Sequence, residues 1–176
     1  MKAAQLQITE CPRDAMQGIK DWIPTEQKAR YLNALLLCGF DVLDFGSFVS
    51  PKAIPQMQDS AEVLDLLADS PTKLLAIIAN ARGAVSAAAH ERIAILGFPF
   101  SISETFQLRN TNSTLDQALF QLEVIDTVCR AQKKDLRIYL SMGFGNPYND
   151  PWSIDIIDYW LGRMLPLGIR SLQLSD

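Results

Sequence analysis

Histidine is nearly absent from this chain: its 176 residues include one, His90, alongside three cysteines, Cys11, Cys38 and Cys129. The cysteines are odd in number and have no metal-ligand spacing, which excludes a disulfide framework and fits free or buried thiols in a reducing compartment. Positive charge is thin as well. Sixteen Lys and Arg stand against twenty Asp and Glu, the pI is near 5.0, and only Lys133 and Lys134 are adjacent basic residues. No basic stripe exists to follow a phosphate backbone, so a nucleic-acid partner is excluded. No apolar run approaches membrane-spanning length, and residues 1–7 lack the apolar core of a signal peptide. A soluble, cytoplasmic protein without a membrane partner is the expectation.

What is present is a globular composition, 48% hydrophobic and 20% charged, enough for one ordinary domain over residues 1–176. Short β-prone runs alternate with longer amphipathic segments, the pattern of β/α units around a parallel sheet. Six strands are predicted, at 5–9, 41–45, 73–79, 92–98, 136–141 and 171–174. Thr25 is placed to cap a helix with Ala29, Leu32, Leu35 and Leu36 at helical spacing and Gly39 beyond its end. Thr114 and Gln117 match a capping box, Ser153 can start a further helix, and Gly168 follows that helix's end. A doubly wound nucleotide-binding sheet would carry a glycine-rich turn after its first strand. Pro12-Arg13-Asp14 stands there instead, which favours an α/β fold of the TIM (β/α)8-barrel type. Six strands cannot close the circle that eight close, and the last runs to Asp176, so the expectation is a truncated barrel holding about the first six β/α units.

In such a fold the strand exits face the site. Two of them stand out: Glu10-Cys11-Pro12-Arg13-Asp14-Ala15-Met16-Gln17, and Asp44-Phe45-Gly46-Ser47-Phe48-Val49-Ser50-Pro51-Lys52 with Pro55-Gln56-Met57. With Asn80-Ala81-Arg82-Gly83, Ser103-Glu104-Thr105-Phe106, Asn110, Asn112, Tyr139-Leu140-Ser141 and Gly145-Asn146-Pro147-Tyr148, these closely resemble the hydroxymethylglutaryl-CoA lyase family, metal-dependent barrel enzymes related to the Claisen-type synthases. The resemblance implies cleavage of a 3-hydroxyacyl-CoA to acetyl-CoA and a ketoacid such as acetoacetate, with an acyl-CoA substrate and a divalent metal, Mg²⁺ or Mn²⁺, as cofactor. Asp14 matches the metal-ligand carboxylate and Arg13 the arginine that stabilises the enolate oxygen. Asp44 and Asp176 match acidic residues of the catalytic site, while Gln17, Ser47, Arg137 and Tyr139 match substrate contacts or their support.

Departures accompany the matches. The family generally has Gly where Ala15 stands and Glu where Asp44 stands, which adds a methyl near a tight turn and shortens by a methylene a carboxylate that should reach Arg13. The family's His-x-His ligands, later Asn ligand and catalytic-cysteine loop would lie beyond Asp176, so the chain as it stands is expected to be inactive or nearly so. By spacing alone Arg13-Asp14 is a solvated ion pair, Ser47 and Asn80 are turn-formers, Cys11 is a small buried thiol, and His90 sits at a helix end where the dipole explains it. Gly143-Phe144-Gly145 serves equally as a strand-end turn or as an approach to a CoA phosphate. A Claisen-type acyltransferase, or a non-catalytic partial barrel assembling with another chain or as a homo-oligomer, stays open as the alternative.

Overall fold

The computed structural model describes residues 6–167, 169 and 171–175. Strands β1 (Thr9–Glu10), β2 (Val42–Ser47), β3 (Lys73–Ile77), β4 (Ile93–Ser101), β5 (Asp135–Ser141) and β6 (Ser171–Leu174) alternate with helices. These are α1 (Pro12–Gln17), α2 (Thr25–Leu36), α3 (Ser60–Asp65), α4 (Ala81–Ala88), α5 (Glu104–Thr111), α6 (Leu115–Ala131) and α7 (Ile154–Met164), with 3-10 turns at Pro55–Met57 and Leu165–Leu167. The strands form one sheet in the order β1 to β6, and every neighbouring pair is parallel. A doubly wound sheet would reverse its order at a switch point. Sequential order belongs to a barrel.

The sheet is also curled. Arg137 Nη1 on β5 donates to Thr9 Oγ1 on β1 at 2.9 Å. In a flat sheet four strand spacings of about 4.8 Å each would hold those strands about 19 Å apart, out of reach of the two side chains. The result is a half-barrel with a helix-covered outer face and a concave inner face. Leu43, Phe45, Leu74, Ala76, Leu96, Phe98, Ile138 and Leu140 pack outward in one core that includes Leu32 of α2, Leu64 of α3, Ala84 of α4 and Leu122 of α6. Val42, Leu75, Ile77 and Ile95 form a smaller cluster on the concave side, joined by Tyr139. This is the period-2 alternation of strands with one apolar layer on each face.

Several boundaries differ from the sequence expectation. The first strand shortens to Thr9–Glu10, with Ile8 contributing its carbonyl to the Asp41 and Val42 amides; Gln5 lies outside the described residues. β4 continues through Pro99 to Ser101, three residues beyond the expected end at Phe98. β2 extends to Ser47 because its register shifts between Asp44 and Gly46: Asp44 opposes Leu75, Gly46 opposes Ala76 and Ser47 opposes Ile77. The extra residue returns Ser47 to the concave face with Ile77, as a bulge does. Gly46 is required at the bend, since a Cβ there would meet Ser60 Oγ at 2.9 Å. Thr25 does not cap α2. Pro24 occupies the N-cap, and the Thr25 hydroxyl donates to Asp59 Oδ2 instead. The capping box at Thr114 and Gln117 and the Ser153 cap form as expected. Gly39 adopts φ +80° three residues past the end of α2, while Gly168 lies outside the described residues.

Candidate active site

The strand exits open into a cavity of about 660 Å³ whose wall draws on all six strand exits or ends, including Cys11, Asp44, Ile77, Pro99, Tyr139 and Gln173. One residue, Cys11, separates β1 from α1, and Pro12 suits the first helical position because its missing N–H would have no partner there. Arg13 and Asp14 therefore sit in the first turn, directly over the sheet.

Arg13 reaches down to Asp44. Its Nε lies 3.1 and 3.0 Å from the two carboxylate oxygens and its Nη2 donates to Oδ2 at 2.8 Å. The Asp44 side chain is fully buried and that of Arg13 is 11% exposed. The shorter carboxylate thus meets the arginine without a gap, contrary to the expected missing methylene. Burial pushes the Asp44 carboxyl above the ordinary carboxylate range, and the Arg13 guanidinium opposes that rise. Arg13 is held even more firmly protonated by its bonds to Asp44, although burial works against its charge. Its Nε and Nη2 edge is thereby fixed, leaving Nη1 to donate to Gln17 Oε1 at 2.8 Å and Asp14 Oδ1 at 3.2 Å. Gln17 Nε2 closes the triangle on Asp14 Oδ1 at 2.9 Å. Ala15 is exposed in α1 and keeps a negative φ, so its methyl introduces no backbone strain.

Among the described residues, the buried hydroxyls of Tyr139 and Ser47 have no hydrogen-bond partner. Burial pushes the Tyr139 phenol up to about 12, with the Asp44 carboxylate adding to the rise and Arg137 opposing it. At neutral pH that hydroxyl keeps its proton and can only donate or accept a hydrogen bond. Orphaned buried hydroxyls are uncommon in folded proteins; Tyr139 lines the cavity, whereas Ser47 is not part of its wall.

Arg137 is placed elsewhere. Its Nε donates to Ser171 Oγ at 3.2 Å and its Nη1 to Thr9, and it lines a separate cavity of about 740 Å³ at the strand starts with Asp41, Lys73 and Asp135. Asp176 lies outside the described residues. Gln173 and Ser175, which no sequence motif singled out, line the cavity; the alternation of the 171–174 strand is the signal that would have indicated Gln173. His90 does not line the cavity, and its ring packs on Phe48 at 5.3 Å between centroids.

The remaining motifs shape loops around the cavity. Asn80 caps α4 by accepting from Gly83 N at 3.0 Å. Gly83 must be glycine because a Cβ would stand 2.4 Å from the Phe48 carbonyl oxygen. Asp150 accepts from Ser103 Oγ, Thr105 N and Thr105 Oγ1, tying the 143–150 loop to the start of α5, while Asn146 braces that loop through Tyr148 N and Asp150 N. Gly143 N donates to the Ser175 carbonyl and Gly145 has φ +131°, the geometry of a strand-end turn.

Asp14 is suited to one ligand of a hard divalent ion. Its side chain is 65% exposed, and the bonds from Arg13 and Gln17 fall on Oδ1, leaving Oδ2 without a protein donor among the described residues. A Mg²⁺ or Mn²⁺ ion takes about six oxygen ligands, and no group of three His, Cys, Asp or Glu side chains able to hold a metal occurs among the described residues. These residues fit part of such a site rather than the whole. Among them, too, no helix is long and apolar enough to cross a membrane.

No protein-family model matches the chain. It is 32% identical over 169 residues to the mitochondrial hydroxymethylglutaryl-CoA lyase of Arabidopsis thaliana, covering 94% of this chain and 35% of that protein. The mitochondrial hydroxymethylglutaryl-CoA lyase of Bos taurus is 32% identical over 176 residues, covering 98% of this chain and 53% of the relative. In three dimensions the chain is similar to an HMG-CoA lyase from Acinetobacter baumannii in complex with coenzyme A and 3-methylmalate, with a TM-score of 0.90, 30% identity, and coverage of 97% of this chain and 56% of that one. The chain thus spans between a third and about half of the length of these proteins. Six sequential parallel strands, the Arg13 and Asp14 pair at the first strand exit and matches along nearly the whole chain in sequence and in space converge on one likeness: over almost its full length this chain is similar to part of the hydroxymethylglutaryl-CoA lyases.

Proposed function

We propose that this chain forms the enolate-stabilising part of a lyase site that cleaves a 3-hydroxyacyl-CoA of the hydroxymethylglutaryl type into acetyl-CoA and a ketoacid, acetoacetate in the simplest case. In that reaction a base takes the proton of the 3-hydroxyl, the bond between C2 and C3 breaks, and its electron pair passes to the thioester as an enolate that is then protonated at carbon. The step needs a fixed cation where negative charge develops. Arg13 is that cation: Asp44 holds Nε and Nη2, so the guanidinium is oriented before substrate arrives and its Nη1 edge faces the Asp14 and Gln17 side of the cavity. Tyr139 offers its hydroxyl to the acyl group, and Arg137 acts from below as a strut and a distant charge. Asp176 remains the proposed acidic partner of the site. A bound Mg²⁺ or Mn²⁺, with Asp14 as one ligand, would supply Lewis-acid polarisation of the substrate oxygens.

The observation that carries this assignment is the buried fork between Arg13 and Asp44 at the mouth of the cavity. Because the described residues provide a single metal ligand, turnover is expected to be low, and binding is the sharper measure. Titrating 3-hydroxy-3-methylglutaryl-CoA into the protein with Mn²⁺, by calorimetry, should give saturable binding that Arg13→Gln weakens about tenfold or more. Absence of binding, or equal binding by the variant, refutes it. Offering acetyl-CoA and a ketoacid in place of the thioester separates the Claisen-type acyltransferase alternative. One feature favours a second reading, a partial barrel that pairs with another chain: β6 exposes Leu172 and Leu174 at one end of the sheet and Ile8 is exposed beside β1 at the other. Concentration-dependent assembly in sedimentation, without Mn²⁺-dependent thioester binding, would support it.

A further inference from the structure

Behind α1 lies a buried polar cluster that the chemistry above does not use. Lys28 is 2% exposed, and its Nζ donates to the Gln56 backbone carbonyl and to Asp59 Oδ1 while lying 3.8 Å from the centroid of the Trp22 ring. Asp59 takes a second bond from Thr25 Oγ1 at 2.8 Å. Held in this way, Gln56, itself 4% exposed, turns its side-chain amide toward residues 18–24: Nε2 donates to the Ile19 and Asp21 carbonyls at 2.9 Å each, and Oε1 accepts from Ile23 N at 3.1 Å. All three hydrogen bonds of the amide are spent on the backbone of one loop.

That loop begins at the residue after Gln17, the last residue of α1, which holds both Arg13 and Asp14. Ile19 N in turn donates to the Met16 carbonyl. The same stretch that carries Gln56 also supplies Ala53 and Ile54 to the cavity wall. A buried ion pair gives little stability over an apolar replacement, whereas a directional set of bonds fixes one geometry. We infer that Gln56, locked by Lys28 and Asp59, is a positioning residue that sets the end of α1 and with it the orientation of Gln17, Asp14 and Arg13. This gives Pro55-Gln56-Met57 a task that its sequence alone did not reveal.

The functional weight of the clamp rests on the role proposed for Arg13, yet its test does not require turnover. The Nε–H resonance of Arg13, identified by its loss in Arg13→Lys, reports the fork to Asp44 directly. Gln56→Glu keeps the volume and removes both donors. In that variant the amides of residues 19–23 should exchange with solvent about tenfold faster or more, and the Arg13 Nε–H should shift and lose protection as well, while the amides of β3 to β5 keep theirs. Faster loop exchange with an unchanged Arg13 signal would reduce the cluster to a local structural role, and no change in either would show that the clamp is not formed. If Gln56→Glu does not fold, Gln56→Asn, one methylene too short to reach the loop, is judged by the same two signals. Failure of the lyase proposal shows instead in the thioester titration, where Arg13→Gln is the variable.

Discussion

Replacing Asp44 with Asn tests the fork from the side of stability. The substitution keeps the volume and one acceptor oxygen but leaves the Arg13 charge, at 11% exposure, without the carboxylate that faces it. Removing one partner of a buried pair costs about 3–5 kcal/mol. Arg13 would keep Asp14 and Gln17 through Nη1, and burial already disfavours the ionised form of Asp44, so the lower end, about 3 kcal/mol, is expected. In a chain of this length that corresponds to a fall of roughly 6–12 °C in Tm. Arg13→Met leaves the opposite charge stranded and should cost a similar amount, whereas the double variant removes both charges and should lose less than the sum. Urea unfolding at pH 7, followed by tryptophan fluorescence, measures all four proteins, and the coupling between the two positions should come to about 2 kcal/mol. A coupling below about 0.5 kcal/mol would mean that the two side chains act independently in solution, and the preorganised arginine on which the proposed chemistry depends would be gone.

Two further outcomes are expected elsewhere in the fold. Gly83→Ala places a methyl 2.4 Å from the Phe48 carbonyl oxygen, a backbone atom that cannot swing aside, so stability should fall by about 1–3 kcal/mol or more; a urea midpoint within error of wild type would show that the α4 contact is looser than drawn. Burial pushes the Cys129 thiol up to about 12, with Asp126 and Asp135 adding to the rise, so above an ordinary value near 9 the unfolded chain loses this proton before the folded chain does. Stability should therefore be intact below pH 9 and decline as pH rises toward 12, and Cys129→Ala should flatten that decline, with Tyr139 contributing equally to both proteins; parallel urea midpoints across the window would refute the assignment.

The sequence patterns that resolved well are those governed by local physics. The Thr114 and Gln117 capping box and the Ser153 cap each depend on a few neighbouring residues, and each is found where expected. Thr25 was misassigned because its hydroxyl had a better partner 34 residues away, the Asp59 carboxylate that also neutralises Lys28. The clamp around Gln56 was invisible for the same reason: nothing in the 56–59 stretch announces that its side chains will meet residues 19–28. β4 runs three residues beyond the expected end at Phe98, and Pro99 pairs in register with Tyr139.

Arg137 shows most clearly what a linear pattern leaves out. Residues 137, 139 and 141 share the concave face, as a period of two requires, and membership of that face was legible from the strand alone. Height along the barrel was not. Each two-residue step moves about 6.6 Å along the strand, so Ser141 lies at the exit, Tyr139 at the level of the orphaned hydroxyl and Arg137 near the start, where it reaches sideways to Thr9 and Ser171. The same residues explain how the site is divided. Arg13, Asp14, Gln17 and Asp44 come from α1 and β2, no more than 31 residues apart, and can assemble as soon as the first two β/α units meet. The Arg137 strut spans 128 residues and forms only when the first and fifth strands have curled toward each other. The charged group at the mouth therefore depends on local order, whereas the depth of the cavity beneath it depends on the curvature of the whole sheet.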